Sequence, residues 1–263
     1  MLSKTRGLHA TLLLSFSILV KSVRGHGFVG SIRANSVNYT GQYPIDEDQD
    51  PVSSPIRQAY TEGPVLNVSL TAIACGGKNN TPAAEIAAVS AGSTLWVQWI
   101  DGSGEPTWPH DTGPLLTYMA PCSSSSCQDD PTTLDFFKIK EDGQVPGDPT
   151  QWVQAELMNG TQYQIEIPPG IPNGPYILRH EIISLQNAMS GGTGAESYPS
   201  CIQLNVSGSS SPLSQTAFMQ SLSLNSTIKL PGGYNQSDSS WVVDVYTNPQ
   251  SLKYTPPGPG IVN

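Results

Sequence analysis

The histidine at position 26 would gain a second metal-binding group if the chain were cut immediately before it. Residues 1–25 have the pattern of a secretory signal peptide, with a basic start and an apolar stretch over 8–20 that is too short to span a bilayer. Gly25 is small enough for a signal peptidase to cut after it. Cleavage there frees an α-amine beside the imidazole of His26, and both can bind one metal ion. We therefore predict a secreted protein whose mature chain, residues 26–263, forms one domain.

The composition indicates an acidic, loop-rich β protein. Removal of the signal takes away Lys4, Arg6, Lys21 and Arg24 and no acidic residue, so the formal net charge changes from −9 to −13. An acidic surface repels nucleic acid and anionic membranes, and neither is expected as a partner. The 25 glycines, 23 prolines and five tryptophans, with only 13% charged residues, fit a folded β domain with a hydrophobic core. A monomer is the default expectation.

Four cysteines in a secreted chain imply two disulfides. Cys122 and Cys127 flank four serines and can close a small loop, in which case Cys75 and Cys201 bridge distant parts of the chain. Three pairings are compatible with four cysteines. Sequons for N-glycosylation agree with secretion, and they lie at Asn38, Asn67, Asn79, Asn159, Asn205, Asn225 and Asn235.

Several short segments have the residue pattern of β-strands. They are either rich in β-branched and aromatic residues or alternate apolar with polar residues, and they cover 94–100, 161–167, 201–206 and 241–246. Glycine and proline separate them, and no long segment has a helical period. We predict an all-β fold, an antiparallel sandwich of the immunoglobulin or fibronectin-III type. Residues 38–64 and 188–197 are expected to be long loops, which often carry binding function.

Four sequence features occur in one order along the mature chain. His26 opens it, WPHDTGP follows at 108–114, RHEII at 179–183, and Tyr198 stands three residues before a cysteine. Together they resemble the fungal lytic polysaccharide monooxygenases of auxiliary activity family 9, formerly glycoside hydrolase family 61. The resemblance extends over the whole mature chain, to YTPPGP at 254–259.

The resemblance implies a single copper ion on a flat face formed by long loops. His26 would bind it through the α-amine and one ring nitrogen, and His110 through a ring nitrogen. Nitrogen donors of these kinds suit copper. Tyr198 would take the axial position, although from the residues alone it would be taken for a buried core tyrosine. His180 falls on the strand away from copper and is assigned a structural role.

The same resemblance implies the pairing Cys75–Cys201 and Cys122–Cys127. The flat face would lie on crystalline polysaccharide, and the ring of Tyr254 would stack on a sugar. Aromatic contact is suited to a neutral polymer, which an acidic surface does not repel.

The chain departs from the family pattern near the expected site. Gln186 stands where the active members have a histidine that hydrogen-bonds or protonates the oxygen species, and glutamine cannot release a proton near neutral pH. Glu196 stands where the family has glutamine or glutamate, so a hydrogen-bonding partner for oxygen remains. Ser197 replaces an aromatic residue, and SSW at 239–241 replaces Pro-Gly-Ile, changes expected to loosen the packing beneath the site. Copper binding is predicted to survive, with reduced or altered turnover.

Three functions remain open at this point. The first is a secreted copper monooxygenase that cleaves cellulose or a related β-1,4-glucan, with an external electron donor and O₂ or H₂O₂. Tyr198, Glu196 and Gln186 are its catalytic candidates. The second is a copper-binding protein of the same fold that does not oxidise polysaccharide, with a role in copper handling or at the cell surface. The third is a carbohydrate-binding or wall-structural sandwich without metal. An ordinary hydrolase is disfavoured, because nothing marks Glu181 and Glu196 as an acid–base pair.

Overall fold

The computed structural model describes residues 25–44, 53–77, 80–189, 191–223 and 225–262. Apart from Gly25, the predicted signal peptide lies outside the described residues, and so does the sequon asparagine Asn79. The strands are β1 (Gly27–Ala34), β2 (Val37–Thr40), β3 (Ala87–Ser90), β4 (Thr94–Asp101), β5 (Leu115–Pro121), β6 (Phe136–Asp142), β7 (Gln144–Val145), β8 (Asp148–Trp152), β9 (Tyr163–Glu166), β10 (Gly174–Ser184), β11 (Glu196–Ser207) and β12 (Thr227–Ile228). One α-helix, α1 (Gln215–Ser221), and short 3₁₀ turns at Thr71–Ile73, Pro131–Thr133, Val153–Asn159 and Pro249–Ser251 complete the described elements.

Two sheets make up the sandwich, as predicted. A four-stranded sheet has the order β2-β1-β4-β9, a six-stranded sheet has the order β12-β6-β5-β10-β11-β3, and β7 and β8 form a separate hairpin. The pairing is antiparallel except between β3 and β11, which run parallel from Ala87 opposite Leu204 to Ser90 opposite Ser207. A parallel pair requires a long connection, and more than a hundred residues separate these two strands.

Three of the four strands predicted from residue patterns are confirmed. Residues 94–100 lie in β4, 161–167 contain β9, and 201–206 lie in β11. The predicted strand at 241–246 is wrong. The amides of Trp241 and Val242 both donate to the carbonyl of Asp238 within a turn, and the amide of Val243 donates to the carbonyl of Ala188 in another loop. Trp241 and Val245 are buried and anchor a loop, whereas Val242 and Tyr246 are exposed, so the apolar residues do not form one face of a strand.

The six-stranded sheet is covered on both faces. One apolar cluster lies between the two sheets and includes Trp99, Leu178 and Ile182. A second cluster packs on the opposite face beneath the long loops and includes Ile177 and Ile183. Side chains of a strand alternate between its faces, so β10 supplies both clusters and is buried along most of its length. Its charged Arg179 and Glu181 form a buried ion pair of 2.7 Å.

Both predicted disulfides are present, Cys75–Cys201 and Cys122–Cys127. The first joins residues 126 positions apart, and the second closes a loop of a few residues. The sequon asparagines other than Asn79 are all exposed, so their glycosylation stays a prediction. Among the described residues, no helix has the length and apolar character needed to cross a membrane.

Candidate metal centre

His26 lies at the start of β1, at one end of the sandwich. Its carbonyl accepts a hydrogen bond of 2.9 Å from the amide of Gly102, and the next amide, that of Gly27, donates to the carbonyl of Glu62 at 3.0 Å. Position 27 accepts only glycine, because a Cβ atom there would collide with the carbonyl oxygen of Ile100 on β4. Backbone contacts on both sides therefore hold His26 in place.

His110 lies on the loop between β4 and β5. The loop is attached to β10, with Ile183 donating to the carbonyl of Pro114 at 3.0 Å and Leu185 to that of Thr112 at 2.9 Å. Gly113 makes this approach possible, since its φ of +129° favours glycine and a Cβ atom would overlap the carbonyl oxygen of Ile183. The half-buried imidazole of His110 therefore lies beside the end of β10.

The buried indole of Trp108 links His110 to Tyr198. Its ring makes edge contacts with the imidazole of His110 at 5.5 Å and with the phenol of Tyr198 at 4.8 Å. A third edge contact, at 5.1 Å, joins it to Trp99 in the core between the sheets. Trp108 stands two residues before His110, and its part in orienting both candidate ligands was not predicted. The aromatic residue in WPHDTGP was the available signal.

His110 and Tyr198 converge on one backbone oxygen, the carbonyl of Gly25. The Nε2 atom of His110 lies 2.6 Å from it, and the hydroxyl of Tyr198 lies 3.3 Å from it. The carbon of this carbonyl is bonded to the backbone nitrogen of His26. In the uncut chain, the Gly25 carbonyl thus lies between His110 and Tyr198. Cleavage after Gly25 would remove this carbonyl and leave the new α-amine of His26 beside the space.

A carboxylate forms one wall of this place. Glu196, only 9% exposed, accepts hydrogen bonds of 2.9 Å from the hydroxyl of Tyr198 and the amide nitrogens of Gln186 and Asn187. Its Oε2 atom lies 3.8 Å from Nε2 of His110. Burial, followed by the charge of Glu196, raises the pKa of Tyr198, so the phenol remains protonated at neutral pH. Asn187 was not predicted, although it follows Gln186 directly.

The donor set fits copper. Nitrogen donors come from the imidazoles of His26 and His110 and from the α-amine that cleavage would create, and the phenol of Tyr198 adds one weaker oxygen donor. This combination suits Cu²⁺ better than Mg²⁺ or Ca²⁺.

A different cluster, Cys122 with Cys127 and Asp129, is also compact enough for a metal among the described residues. Its two sulfur atoms form a disulfide with each other and are not available to a metal.

His180 lies in the core, away from these groups. Its ring stacks on Tyr163 at 4.9 Å, and Nδ1 is 3.1 Å from the hydroxyl oxygen of Thr117. Burial, with a smaller effect from Lys140, lowers its pKa from 6.5 to about 3, so the ring is neutral at neutral pH. The environment agrees with the structural role assigned to it.

Ser197 and Trp241, two of the residues expected to depart from the family pattern beneath the site, are both buried. The hydroxyl of Ser197 donates to the carboxylate of Glu181, and the indole of Trp241 packs on the ring of Tyr234 at 5.3 Å. The serine therefore has a buried hydrogen-bond partner, and the tryptophan fills the loop-covered core.

Tyr254, the predicted sugar-stacking residue, is half-buried. Its ring packs edge-on against Trp152 at 5.3 Å, and its hydroxyl donates to the carbonyl of Ser240 at 2.9 Å. Tyr246 is more open, with 57% of its surface exposed. Partial burial and the negative charge of Asp111, next to His110, raise the pKa of Tyr246. Tyr246 is therefore an exposed ring on the His110 side of the molecule that sequence reasoning did not single out.

A family model, related sequences and solved structures all point to the same protein family for this chain. Residues 26–254 match the model of Auxiliary Activity family 9 (formerly GH61). AA9 family lytic polysaccharide monooxygenase D of Gloeophyllum trabeum is 38% identical over 99% of this chain and 71% of its own length, and AA9 family lytic polysaccharide monooxygenase F of Botryotinia fuckeliana is 32% identical over 97% and 99%. Among solved structures, the extended catalytic domain of H. jecorina LPMO9A matches with a TM-score of 0.75, 32% identity and coverage of 90% of this chain and 91% of that one. HiLPMO9B matches equally well, with a TM-score of 0.75, 28% identity and coverage of 90% and 99%.

Proposed function

The chain belongs to Auxiliary Activity family 9, the family of the lytic polysaccharide monooxygenases, and from this premise we propose that it oxidises cellulose or a related β-1,4-glucan at one copper ion held by His26 and His110. Family membership makes it a polysaccharide monooxygenase. The polymer, the copper ligands, secretion as a monomer and the use of an external electron donor are the proposed part.

One observation carries the metal assignment. The imidazole of His110 and the phenol of Tyr198 both reach the Gly25 carbonyl, which is covalently attached to His26. The backbone nitrogen of His26, the imidazole of His110 and the phenol of Tyr198, which are far apart in the sequence, thus lie around one carbonyl group. Cleavage after Gly25 removes the oxygen between them and leaves the α-amine of His26 at the same place.

Each residue of the site has a separate task. His26 would contribute the amine and a ring nitrogen, and His110 would contribute Nε2, while the edge contact with Trp108 restricts rotation of the His110 ring. Tyr198 would offer a neutral oxygen. Copper bound there would supply one-electron redox chemistry, with an external reductant as electron donor and O₂ or H₂O₂ as oxidant.

Gln186 and Glu196 supply the polar side of the same site. The amide nitrogen of Gln186 is engaged by Glu196, while its amide oxygen is buried and has no hydrogen-bond partner among the described residues. An unpaired buried acceptor is costly, so this oxygen is suited to receive a hydrogen bond from water or from a proton-bearing oxidant. Gln186 can orient such a group but cannot give it a proton near neutral pH.

The polysaccharide is held by aromatic contact and not by charge. A neutral glucan gains little from the acidic surface but can lie against exposed rings. Tyr246 is the more accessible ring, and Tyr254 remains the candidate that family resemblance indicates. Both contacts are part of the proposal.

The direct test uses protein that begins at His26, loaded with one equivalent of copper. It is incubated with amorphous cellulose and ascorbate, and mass spectrometry looks for oxidised oligosaccharides. We expect reductant-dependent products above a free-copper control and none from His110→Ala. Full activity in His110→Ala would contradict the copper assignment.

A copper-binding protein without polysaccharide oxidation is the second candidate, and Gln186 is the observation that favours it. It predicts tight copper uptake by the same sample and no oxidised sugars with any reductant. Binding of metal-free protein to cellulose without any copper uptake would instead support a carbohydrate-binding sandwich.

A further inference from the structure

Glu196 is the most heavily hydrogen-bonded side chain beside the candidate metal ligands. Its Oε1 atom accepts from Nδ2 of Asn187, and its Oε2 atom accepts from both Nε2 of Gln186 and the hydroxyl of Tyr198, each at 2.9 Å. Three donors from three side chains therefore converge on two oxygens. Glu196 is 9% exposed and Gln186 is half-buried, whereas Asn187 lies at the exposed edge of this group.

A carboxylate at position 196 can accept all three hydrogen bonds at once. A glutamine there would offer one acceptor oxygen, so the facing amide of Gln186 or Asn187 would have to turn over to accept from its NH₂ group. The amides at 186 and 187 and the acid at 196 thus form a chemically matched set. Gln186, which departs from the family pattern, is coupled to the choice of glutamate at 196.

The hairpin between β10 and β11 brings the set together. Ser184 pairs with Glu196 at the ends of the two strands, and the chain then turns back, with the amide of Gly194 donating to the carbonyl of Asn187 at 3.0 Å. The amide of Val243 donates to the carbonyl of Ala188, also at 3.0 Å, and attaches the loop to the C-terminal segment. The backbone therefore places both amide side chains opposite Glu196.

The hydroxyl of Tyr198 has one proton to donate. The carboxylate of Glu196 at 2.9 Å is a stronger acceptor than the Gly25 carbonyl at 3.3 Å. With the proton directed at Glu196, the phenol turns a lone pair toward the place where His110 and the N-terminus meet. Without a fixed carboxylate, the hydroxyl would be free to rotate about its C–O bond.

We propose that Gln186 and Asn187 are positioning residues that hold the Glu196 carboxylate so that Tyr198 presents an oxygen lone pair, and not its proton, to copper. This inference rests on the proposed function, because it assumes that copper binds next to Tyr198. Neither amide touches copper or polysaccharide in this role. Both act through Glu196 and then through Tyr198.

The test is a double-mutant cycle read by the EPR spectrum of Cu²⁺ in protein that begins at His26. Gln186→Met and Asn187→Leu each remove one donor at similar side-chain size, and Gln220→Met on α1 is the matched control for an exposed glutamine outside the site. We expect both site variants to change the copper hyperfine splitting and the control to leave it unchanged. In a Tyr198→Phe background, the two substitutions should have no further effect, because the group through which they act is gone.

Two results would overturn the proposal. Unchanged spectra in Gln186→Met and Asn187→Leu, with a changed spectrum in Tyr198→Phe, would mean that the amides do not position the phenol. Equal changes with and without the hydroxyl of Tyr198 would mean that Glu196 acts on copper by another route. Thermal unfolding of each variant identifies any that has simply lost its fold.

A second readout needs no metal. In copper-free protein, NMR follows the exchange of the phenolic proton of Tyr198 with water, which a hydrogen bond to a fixed carboxylate slows. We expect Gln186→Met and Asn187→Leu to accelerate this exchange about tenfold, and Gln220→Met to leave it unchanged. A parent protein that binds no copper contradicts the proposed function, and the exchange rates then decide the positioning role alone. Equal rates in parent and variants would refute it.

Discussion

The hydroxyl of Tyr198 donates a hydrogen bond of 2.9 Å to the carboxylate of Glu196, two residues earlier on the same strand. Residues two apart in a strand share a face, so β11 alone brings these side chains together. Burial and the neighbouring carboxylate raise the pKa of Tyr198 and keep it a phenol. The pair thus provides a neutral oxygen donor beside His110, and a change at either residue should be felt at the other.

A protein that keeps Gly25 should bind copper poorly. The Gly25 carbonyl lies 2.6 Å from Nε2 of His110 and its peptide bond consumes the amine of His26. Loss of a residue that hydrogen-bonds to a metal ligand already lowers metal affinity by about 10- to 100-fold, and loss of a ligand should lower it at least as much. Calorimetric titration with Cu²⁺ of proteins beginning at Gly25 and at His26 measures the difference. Equal affinities would show that the α-amine is not a ligand.

Gln186→His should increase oxidative turnover. A histidine can still donate a hydrogen bond to Glu196, and it adds a group that exchanges protons near neutral pH. We expect a rise of roughly 10- to 100-fold in the rate of oxidised product release, the usual range for partners of metal ligands. Copper affinity is measured in parallel, so that a change in metal loading is not mistaken for a change in turnover. A lower rate would mean that the site depends on the amide.

Tyr246 and Tyr254 should respond differently to truncation. Tyr246 is 57% exposed, so Tyr246→Ala should weaken cellulose binding by roughly 2- to 12-fold, the value of one aromatic contact, without changing the melting temperature. Tyr254→Ala removes the packing on Trp152 and the bond to Ser240, and should lower the melting temperature. Pull-down on cellulose and thermal unfolding separate the two effects. Unchanged binding in Tyr246→Ala would remove this residue from the substrate face.

Buried His180 should make the protein less stable in acid. Its pKa is about 3 in the fold and 6.5 when unfolded, so the unfolded chain takes up the proton first as the pH falls. The stabilisation is complete above pH 6.5 and is lost progressively between pH 6.5 and pH 3, by about 5 kcal/mol in total. Urea unfolding across this range should show a smaller loss for His180→Phe than for the parent. The control is Thr117→Val, which removes the hydrogen bond between Thr117 and Nδ1 of His180 but keeps the imidazole, so it should retain the pH dependence.

The two disulfides should contribute unequally to stability. In the chain-entropy model, the loop of 126 residues closed by Cys75 and Cys201 is worth about 5 kcal/mol, and the short loop closed by Cys122 and Cys127 about 2 kcal/mol. Replacement of each pair by alanine, followed by urea unfolding, measures both. The first bridge also lies three residues from Tyr198, so its loss should weaken copper binding as well. A larger effect from the short bridge would contradict the entropic argument.

Local residue patterns were sufficient to predict the sandwich and the presence of two disulfides, whereas the pairing of the cysteines and the metal-binding roles of His110 and Tyr198 came from the family resemblance. The strand patterns at 94–100, 161–167 and 201–206 can be seen in short stretches of sequence. The features that indicated the family can likewise be read from the sequence, in their order along the chain. The pattern at 241–246 wrongly predicted a strand, because its buried residues anchor a loop whose amides bond within a turn and to the carbonyl of Ala188.

The tertiary structure alone decided how the site is assembled. His110, Tyr198 and Gly25 meet because the loop before β5 is attached to β10 and β10 pairs with β11, contacts between residues that are distant in the sequence. The role of Asn187 arises from a hairpin that turns its side chain back toward Glu196. The sequence determines which chemical groups are present to bind and react, whereas long-range packing determines the distances between them. A metal centre depends on both.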